Sequence, residues 1–370
     1  MDPFCMKDLK HFLLLCFAFT LASCGGSTSS DPQVAEPQQT YEWKLVTSWP
    51  KNFPGLGKAP ETFAKYVERM SNGRLKIKVY GAGQMVPGFE VFDTVSSGAA
   101  QMGHAGSYYW KGKAPASQIF TAIPFGMNAT EFNAWMHYGG GLEMWRELYA
   151  PFDLVPFVGG NTGVQMAGWF KKEINSVDDL KGLKMRIPGL GGEVLKKVGG
   201  IPIALTGGEL FTSLQSGAID ATEWVGPYND LAFGLHKAAN YYYYSGWHEP
   251  GASLEFIVNK TAFEALPSDL QAIIEVATRA ANQDMLDEYT AANNDAMKAL
   301  VETHGVDMRP LPDDVIAALR EATAEVMNEQ AEADPTFAKI YASYKAFQDG
   351  VSNYHKISEL EYYNNRKAKD

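Results

Sequence analysis

Cysteine is almost missing from this sequence. The chain has 370 residues and only three cysteines, and all three lie in the first 24 residues. The rest of the chain therefore has no disulfide framework, no thiolate zinc site and no cysteine nucleophile. A body without cysteine is compatible with export to an oxidising compartment.

Positive charge is also scarce. The chain carries 32 lysines and arginines against 43 acidic residues, which gives a formal net charge of -11. No basic stripe is available to neutralise phosphates, so we expect no nucleic-acid partner. Hydrophobic residues make up 46% and charged residues 20%, which is ordinary for a globular protein with a full core. The length suggests two domains or one large one.

Nucleotide and hydrolase motifs are absent as well. The glycines at Gly189–Gly192 lack a partner three residues after Gly191, where Val194 stands, so they form no dinucleotide fingerprint. The sequence has no P-loop, no HExxH and no GxSxG elbow. The histidines beyond the N-terminal segment lack metal-ligand spacing, and we expect them to be structural: His104, His137, His236, His248, His304 and His355.

An apolar run near the N-terminus is typical of a signal peptide. Basic residues precede Phe12–Ala22, which is too short to span a bilayer as a helix. The run ends at Leu21-Ala22-Ser23-Cys24, which resembles the bacterial lipobox, where the cysteine carries lipid. An ordinary signal peptide with an incidental cysteine is the alternative. We expect a lipoprotein-type signal at 1–24, a flexible linker at 25–40 and membrane contact through lipid on Cys24.

The rest of the chain alternates strand and helix patterns, which predicts an α/β fold. Glu42–Trp49 is strand-like, Pro60–Ser71 has apolar residues at helical spacing, and Leu75–Val79 alternates with two lysines. Further strands are predicted at Val155–Gly159, Tyr241–Tyr244 and Ser253–Val258, and further helices at Thr130–Leu148, Pro267–Glu302, Asp313–Glu332 and Pro335–Phe347.

Two segments of the chain resemble each other. Phe92–Met102 and Phe211–Ala221 each have an apolar helical face that leads to Ser-Gly-Ala, which ends a helix and starts a strand. This similarity indicates two domains built on one plan, whose strands end at a shared cleft, where open α/β sheets bind ligands. Chance similarity between two amphipathic helices is the alternative.

A candidate anion site lies around Arg186. This arginine stands in the apolar alternation Leu183–Pro188, and Asn161–Met166 supplies amide groups beside glycine. An arginine between apolar neighbours is suited to bind a carboxylate through two parallel hydrogen bonds. The alternative is that Arg186 lies on a solvated strand face.

Three oxygen donors that are distant in sequence adjoin glycine or aromatic residues: Gln165, Glu223 and Glu249. Two carboxylates repel a carboxylate ligand unless a cation lies between them, and Na⁺ and Ca²⁺ bind carboxylate, amide and backbone oxygens. Arg186 and a cation could together hold a small 2-oxo or 2-hydroxy acid. The alternative is that both glutamates are solvated surface acids.

Several motifs resemble the solute-binding proteins of TRAP (tripartite ATP-independent periplasmic) transporters. These motifs are Ala122–Gly126, Gly163–Gln165, Asp179–Arg186 and Leu214–Asp220, within a resemblance that extends from Tyr41 to roughly Asn353. Leu205–Tyr228 with Gly246–Gly251 is similar to the branch that binds 2-oxo acids or lactate with a metal ion.

The resemblance implies two α/β lobes that close about a hinge, a long helix that bridges both lobes and a helical C-terminal region. The implied ranges are 41–163 with 250–285 for lobe I, 164–249 for lobe II and 286–370 for the C-terminal region, with dimer contacts through its helices. It also implies a periplasmic location and delivery of the ligand to TRAP membrane permease subunits.

The resemblance also implies roles for single residues. Arg186 would pair with the ligand carboxylate. The bound cation, Na⁺ or Ca²⁺, would touch the ligand and be held by Gln165, Glu223, the Trp224 carbonyl and Glu249. Asn161 and one of Tyr108 or Tyr109 would donate further hydrogen bonds to the ligand.

Two other functions stay open from the sequence. An exported metal-dependent enzyme acting on small carboxylic acids would use the same carboxylates and cation, and a ligand-binding partner of a membrane sensor would share the cleft. Because no nucleophile–base set stands out, we expect no enzyme. We expect a binding protein for a monocarboxylate of the pyruvate or lactate type.

Overall fold

Two β-sheets organise the computed structural model, which describes residues 39–366. The expected signal peptide, Cys24 and nearly all of the expected linker lie outside the described residues. The strands are β1 (Tyr41–Thr47), β2 (Leu75–Tyr80), β3 (Met102–Ala105), β4 (Leu154–Asn161), β5 (Gly168–Phe170), β6 (Lys184–Arg186), β7 (Ile201–Ile203), β8 (Ala221–Thr222), β9 (Tyr241–Tyr244), β10 (Ser253–Asn259) and β11 (Asp307–Pro310).

Helices cover both sheets. They are α1 (Ala59–Met70), α2 (Val91–Ser96), α3 (Ala129–Tyr138), α4 (Gly141–Tyr149), α5 (Gly189–Lys197), α6 (Leu210–Ser216), α7 (Pro227–Phe233), α8 (Lys260–Glu264), α9 (Ser268–Lys298), α10 (Asp313–Ala333), α11 (Pro335–His355) and α12 (Glu361–Arg366). Within residues 39–366, none of the helices combines the length and the apolar character that a bilayer span requires.

The first sheet has the strand order β2-β1-β3-β10-β4. Its strands β1, β2 and β3 are parallel, and β10 runs antiparallel between β3 and β4. Every residue of the interior strand β10 is buried, whereas the edge strand β2 exposes Lys76 and Lys78 and buries Leu75 and Val79. The alternation in the sequence of β2 therefore reflects one buried and one solvated face.

The second sheet has the strand order β11-β9-β5-β8-β6-β7. Strands β6, β7 and β8 are parallel, and β5 is antiparallel to both β8 and β9. The chain passes between the two sheets through residues 162–167, 245–252 and 299–306. Each sheet is thus the centre of one lobe of a two-lobed α/β fold, as the sequence predicts.

The two similar segments of the sequence adopt the same local structure, one in each sheet. Helix α2 leads through Gly98 to β3, and α6 leads through Gly217 to β8. Both glycines have left-handed φ angles, +77° and +80°, which other residues adopt only with strain. The strand end at Glu223 and Trp224 consequently corresponds to the strand end near His104.

Helix α9 contacts both lobes. It is 31 residues long, and its first part packs on α1 and β4 of the first lobe. Its later part packs on α7, where the hydroxyl of Tyr289 donates to Asn229 at 2.9 Å and Asn293 accepts from the Tyr228 amide at 3.0 Å. The long bridging helix expected from the sequence is therefore present.

Three segments differ from the sequence expectation. The helix predicted at Thr130–Leu148 is divided into α3 and α4, because Gly140 adopts a left-handed φ of +84° between them. Helix α11 continues to His355 rather than ending at Phe347. Strand β11 was not expected, and it adds a parallel partner to β9 in a region predicted as helical.

Glu255 is a buried acid at the centre of the first sheet. It lies on β10 and is 0% exposed. It accepts hydrogen bonds from the indole of Trp110 at 2.5 Å and the hydroxyl of Tyr149 at 2.9 Å. Burial raises the pKa of Glu255 to about 8, although these two donors act in the opposite direction. At neutral pH the folded chain therefore holds a proton there.

This proton makes stability depend on pH. Between its ordinary pKa of 4.5 and its folded pKa of about 8, Glu255 is protonated only in the folded state, so stability falls as pH rises through that window. We expect Glu255→Gln to remove roughly 2–4 kcal/mol of the stability loss between pH 5 and pH 8.5. Urea unfolding at each pH, with a chelator present, measures the free energy of unfolding. The exposed control Glu321→Gln should keep the wild-type slope, and an equal slope in Glu255→Gln would contradict the assignment.

Candidate functional site

Arg186 is the last residue of β6, and its guanidinium is buried, with 2% of the residue exposed. Its Nε donates to the Leu205 carbonyl at 3.2 Å, and Nη2 donates to the Tyr109 hydroxyl at 3.4 Å. Nη1 donates to the carboxylate of Glu223 and to the Glu223 carbonyl. Burial alone lowers the pKa of Arg186, but the negative Glu223 and its neighbours raise it above the ordinary value. The group therefore stays cationic.

Glu223 follows β8 directly, next to the end of β6. Its amide donates to the Arg186 carbonyl at 3.2 Å, which continues the parallel pairing of the two strands by one residue. The residue is 0% exposed, and while one carboxylate oxygen pairs with Arg186, the other lies 3.3 Å from Nε2 of His248. The carboxyl ends of β6 and β8 thus bring a buried cation and a buried acid together, where open α/β sheets bind ligands.

Gln165 and Glu249 come from two of the segments that connect the lobes. The Gln165 amide group donates to the Glu249 carboxylate at 2.7 Å, and the Gln165 main-chain amide donates to the Glu249 carbonyl at 3.2 Å. The segments approach closely at Gly246, where a Cβ atom would lie 2.3 Å from the Gln165 carbonyl oxygen. Only glycine fits at this contact, which places the two side chains beside each other.

Glu249 carries an unfavourable charge in this position. Burial and the negative charge of Glu223 raise the pKa of Glu249 well above its ordinary value, although Arg186 and Gln165 act in the opposite direction. Without a further cation, burial and the charge of Glu223 therefore favour the protonated form of Glu249. A metal ion between the two carboxylates would replace that proton.

The donors around the two glutamates fit a hard cation. Glu223, His248 and Glu249 each offer a ligand atom within 4.8 Å of the others. The side-chain oxygen of Gln165 is buried and, among residues 39–366, has no hydrogen-bond partner. Among the described residues, no main-chain N–H donates to the Trp224 carbonyl oxygen. Carboxylate, amide and carbonyl oxygens are the ligands of Na⁺ and Ca²⁺.

A small cavity lies beside these donors. It is small, with about 10 Å³ of space, which holds roughly one water molecule. Its lining comes from both lobes: Trp49, Leu56, Tyr108, Tyr109, Thr162, Gln165, Trp224, Val225, Glu249, Ala252 and Leu254. The cavity combines apolar walls with Gln165 and Glu249, and the Arg186 guanidinium lies 5.0 Å from the Trp224 ring.

The two predicted tyrosines and Asn161 take different positions. Tyr108 and Tyr109 lie in the helical turn after β3, and both line the cavity. Both ends of the Asn161 amide bind the main chain, since it donates to the Gly251 carbonyl of the segment before β10 at 3.2 Å and accepts from the Gly163 amide at 2.9 Å. Its predicted contact with the ligand stays a prediction.

Two site histidines were expected to be only structural. His248 lies against Glu223, and the tryptophan-histidine-glutamate segment that carries Glu249 was the available signal for it. His104 accepts from the indole of Trp49 at 2.8 Å and donates to the Gly159 carbonyl at 2.9 Å, which fixes a cavity wall. Burial lowers the pKa of His104 to about 4, so it is neutral.

Comparison with known proteins identifies relatives over almost the whole chain. The family described as bacterial extracellular solute-binding protein, family 7 (DctP) matches residues 45–334. A monocarboxylate 2-oxoacid-binding periplasmic protein of Nostoc sp. (strain PCC 7120) is 44% identical over 344 residues, which cover 93% of this chain and 93% of the relative.

Three solved structures share the fold. A TRAP periplasmic solute-binding protein from Pseudoalteromonas atlantica T6c with bound sodium and pyruvate has a TM-score of 0.87 and 46% identity, covering 89% of this chain and 100% of that one. One from Colwellia psychrerythraea with calcium and pyruvate has a TM-score of 0.86 and 47% identity over 88% and 100%. One from Bordetella bronchiseptica RB50, a mixed-occupancy dimer with calcium and picolinate, has a TM-score of 0.87 and 39% identity over 88% and 97%.

Proposed function

The chain belongs to family 7 of the bacterial extracellular solute-binding proteins, and from this we propose that it captures a small 2-oxo acid of the pyruvate type together with a cation. The relative from Nostoc is named for 2-oxo acids, and the similar structures hold pyruvate with sodium or calcium. The observation that carries the proposal is a buried arginine beside two buried glutamates, next to a small cavity lined by both lobes. The chain is a receptor of a TRAP transporter and not an enzyme.

Arg186 is the proposed partner of the ligand carboxylate. Its Nη1 donates to the carboxylate of Glu223. A cation bound to Glu223 would weaken that ion pair, because the carboxylate would then share its charge with the metal. The guanidinium could then donate two parallel hydrogen bonds to the ligand in a site that excludes most water.

The cation is proposed to bind Gln165, Glu223, the Trp224 carbonyl and Glu249. Gln165 supports this set because its buried side-chain oxygen lacks a protein partner within residues 39–366. Na⁺ and Ca²⁺ both suit such oxygens, and the ion would also contact the 2-oxo acid. Gln165 and Trp224 would touch the ligand as well. Tyr108 or Tyr109 would donate a hydrogen bond to it, with Asn161 as a further candidate.

Lobe closure is the proposed means of capture and release. We propose that lobe I comprises residues 41–163 and 250–285, that lobe II comprises residues 164–249, and that residues 286–370 add a helical region. Cavity residues from both lobes would meet the ligand only when the lobes are closed, so the ligand would favour the closed form. The closed receptor would then deliver the acid in the periplasm to the permease subunits of the TRAP transporter.

The arginine and cation roles are tested together by titration calorimetry with pyruvate, lactate and 2-oxobutyrate. Wild type should bind at least one of these acids tightly with Ca²⁺ or Na⁺ and lose that binding after chelation and desalting. We expect Arg186→Met to weaken binding at least about 100-fold, because two charged hydrogen bonds are lost. Glu223→Gln should lose the cation dependence and most of the affinity.

A half-exposed arginine provides the control for this titration. Arg309 lies on the surface strand β11, so Arg309→Met should bind like the wild type. Circular dichroism confirms that each variant is folded. Wild-type affinity in Arg186→Met would refute the carboxylate role, and tight binding by wild type without any cation would refute the metal site.

A dimer through the C-terminal helices is a further part of the proposal. Tyr354, Ile357 and Leu360 are 64%, 76% and 56% exposed at the end of α11 and in the turn after it. Three large apolar side chains so exposed favour a protein partner. A related structure is a mixed-occupancy dimer, which favours a second copy of this chain.

Negative charge at the exposed apolar residues Ile357 and Leu360 should separate the two chains of the proposed dimer. We expect Ile357→Glu with Leu360→Glu to convert a dimer to a monomer, because a desolvated glutamate is costly in an apolar interface. Light scattering after size exclusion measures the mass. The control Ile201→Glu, at an exposed position in the second lobe, should leave the mass unchanged, and a dimer in the double variant would contradict the proposed face.

Attachment to the membrane through lipid on Cys24 is proposed from the sequence Leu21-Ala22-Ser23-Cys24. Cells given a labelled fatty acid should incorporate it into the wild-type protein and not into Cys24→Ser, which would be released with the soluble periplasmic fraction. The control Cys16→Ser should stay labelled. Equal labelling of Cys24→Ser and the wild type would refute the attachment of lipid at Cys24.

A further inference from the structure

Asp230 is a buried acid that the proposed ligand contacts do not use. It lies on α7, and only 1% of the residue is exposed. One carboxylate oxygen accepts from the indole of Trp169 at 3.0 Å and from the hydroxyl of Tyr242 at 2.7 Å. The other accepts from the main-chain amide of Val225 at 3.4 Å. Asp230 therefore connects the second sheet to the loop that follows Glu223.

The Val225 amide belongs to the same peptide group as the Trp224 carbonyl. The described residues contain one cis peptide bond, at Tyr244–Ser245, so this group is trans and its N–H and C=O point in opposite directions. With the N–H directed at Asp230, the carbonyl oxygen points away from Asp230. Trp224 and Val225 line the cavity together with Gln165 and Glu249, so this peptide group lies at the proposed cation site.

The two side chains that donate to Asp230 are held in place by their packing. The rings of Trp169 and Tyr242 stack at 4.0 Å on the neighbouring strands β5 and β9. The Val225 carbonyl also accepts from the Met166 amide at 2.9 Å, beside Gln165. Val225 is thus held through its N–H by an anion fixed to the sheet and, through its carbonyl in the next peptide group, by the segment that carries Gln165.

We infer that Asp230 is a positioning residue for the cation: it holds the Trp224–Val225 peptide group with its carbonyl towards the ion and makes the site prefer a divalent ion. This inference rests on the proposed function, because it takes the Trp224 carbonyl as a cation ligand. A carboxylate that accepts the N–H also polarises the amide, which increases the negative charge on the carbonyl oxygen. The Coulomb energy of an ion near Asp230 is proportional to the charge of that ion.

Glu255 offers a matched control in the first sheet. It is also a fully buried acid that accepts hydrogen bonds from one tryptophan and one tyrosine. Among the described residues, it accepts none from a main-chain amide at the cavity. Glu255→Gln therefore reproduces the loss of a buried carboxylate without touching the Trp224–Val225 peptide group. If Asp230 had only a structural role, Asp230→Asn and Glu255→Gln would change the affinity for ions to the same extent.

The test is calorimetric titration of Ca²⁺ and of Na⁺ into the chain from Tyr41 onward, with pyruvate saturating. Burial raises the pKa of Asp230 to about 7, so measurement at pH 8.5 keeps the carboxylate ionised. We expect Asp230→Asn to bind Ca²⁺ about 10-fold and Na⁺ about 3-fold more weakly, because the lost Coulomb energy is twice as large for the divalent ion. Glu255→Gln should bind both ions within about 2-fold of wild type.

The results distinguish a cation-positioning role of Asp230 from a merely structural one. Wild-type ion affinities in Asp230→Asn, or equal losses for Ca²⁺ and Na⁺, would overturn the inference while leaving the proposed cation site intact. Cation-independent pyruvate binding by wild type would overturn the cation site and the inference with it. Asp230→Ser removes the same charge, and if Asp230→Asn does not fold it should show the same larger loss for Ca²⁺ than for Na⁺.

Discussion

Burial of several charged groups in one small volume is the constraint on which the binding region depends. Arg186, Glu223 and Glu249 are each 4% exposed or less. A buried ion without a partner costs several kcal/mol, so each of these charges requires the others. The arginine neutralises one glutamate, and the second remains in excess. This excess of negative charge supports the proposed binding of a cation, which would offset the repulsion between the glutamates and an anionic ligand.

The rest of the fold holds these charges at fixed positions. The parallel pairing of β6 and β8 places Arg186 beside Glu223, and the close approach at Gly246 places Gln165 beside Glu249. Aromatic side chains from both lobes then close the cavity and keep its dielectric low, which strengthens each contact. Recognition in this protein is therefore set by the ends of strands and by the segments between the lobes.

The sequence predicted the parts of the fold that depend on local pattern. The strand at Tyr241–Tyr244 and the long helix after Pro267 follow directly from periodicity, and the α/β class follows from their alternation. The break at Gly140 depends on a left-handed glycine, and strand β11 forms because β9 offers an unpaired edge, so neither is visible in a short window of sequence.

The candidate site could be predicted in part. Arg186, Gln165, Glu223 and Glu249 were expected from their apolar, glycine-rich or aromatic neighbours, and the structure places them together. The contact of His248 with Glu223 was missed because it depends on two segments that meet only after folding. The contact of the Asn161 amide with the Gly251 carbonyl depends in the same way on two segments that are distant in sequence.

The strand order also sets when each lobe can form during synthesis. The first sheet is completed by β10, which lies between β3 and β4, yet β10 is made after most strands of the second sheet. The second sheet takes its edge strand β11 from beyond residue 300. The first sheet has all its strands only after Asn259 and the second only after Pro310, so such non-local pairing makes folding late and slow. The nascent chain therefore stays unfolded for most of its synthesis, which is the state in which a polypeptide can be threaded across a membrane.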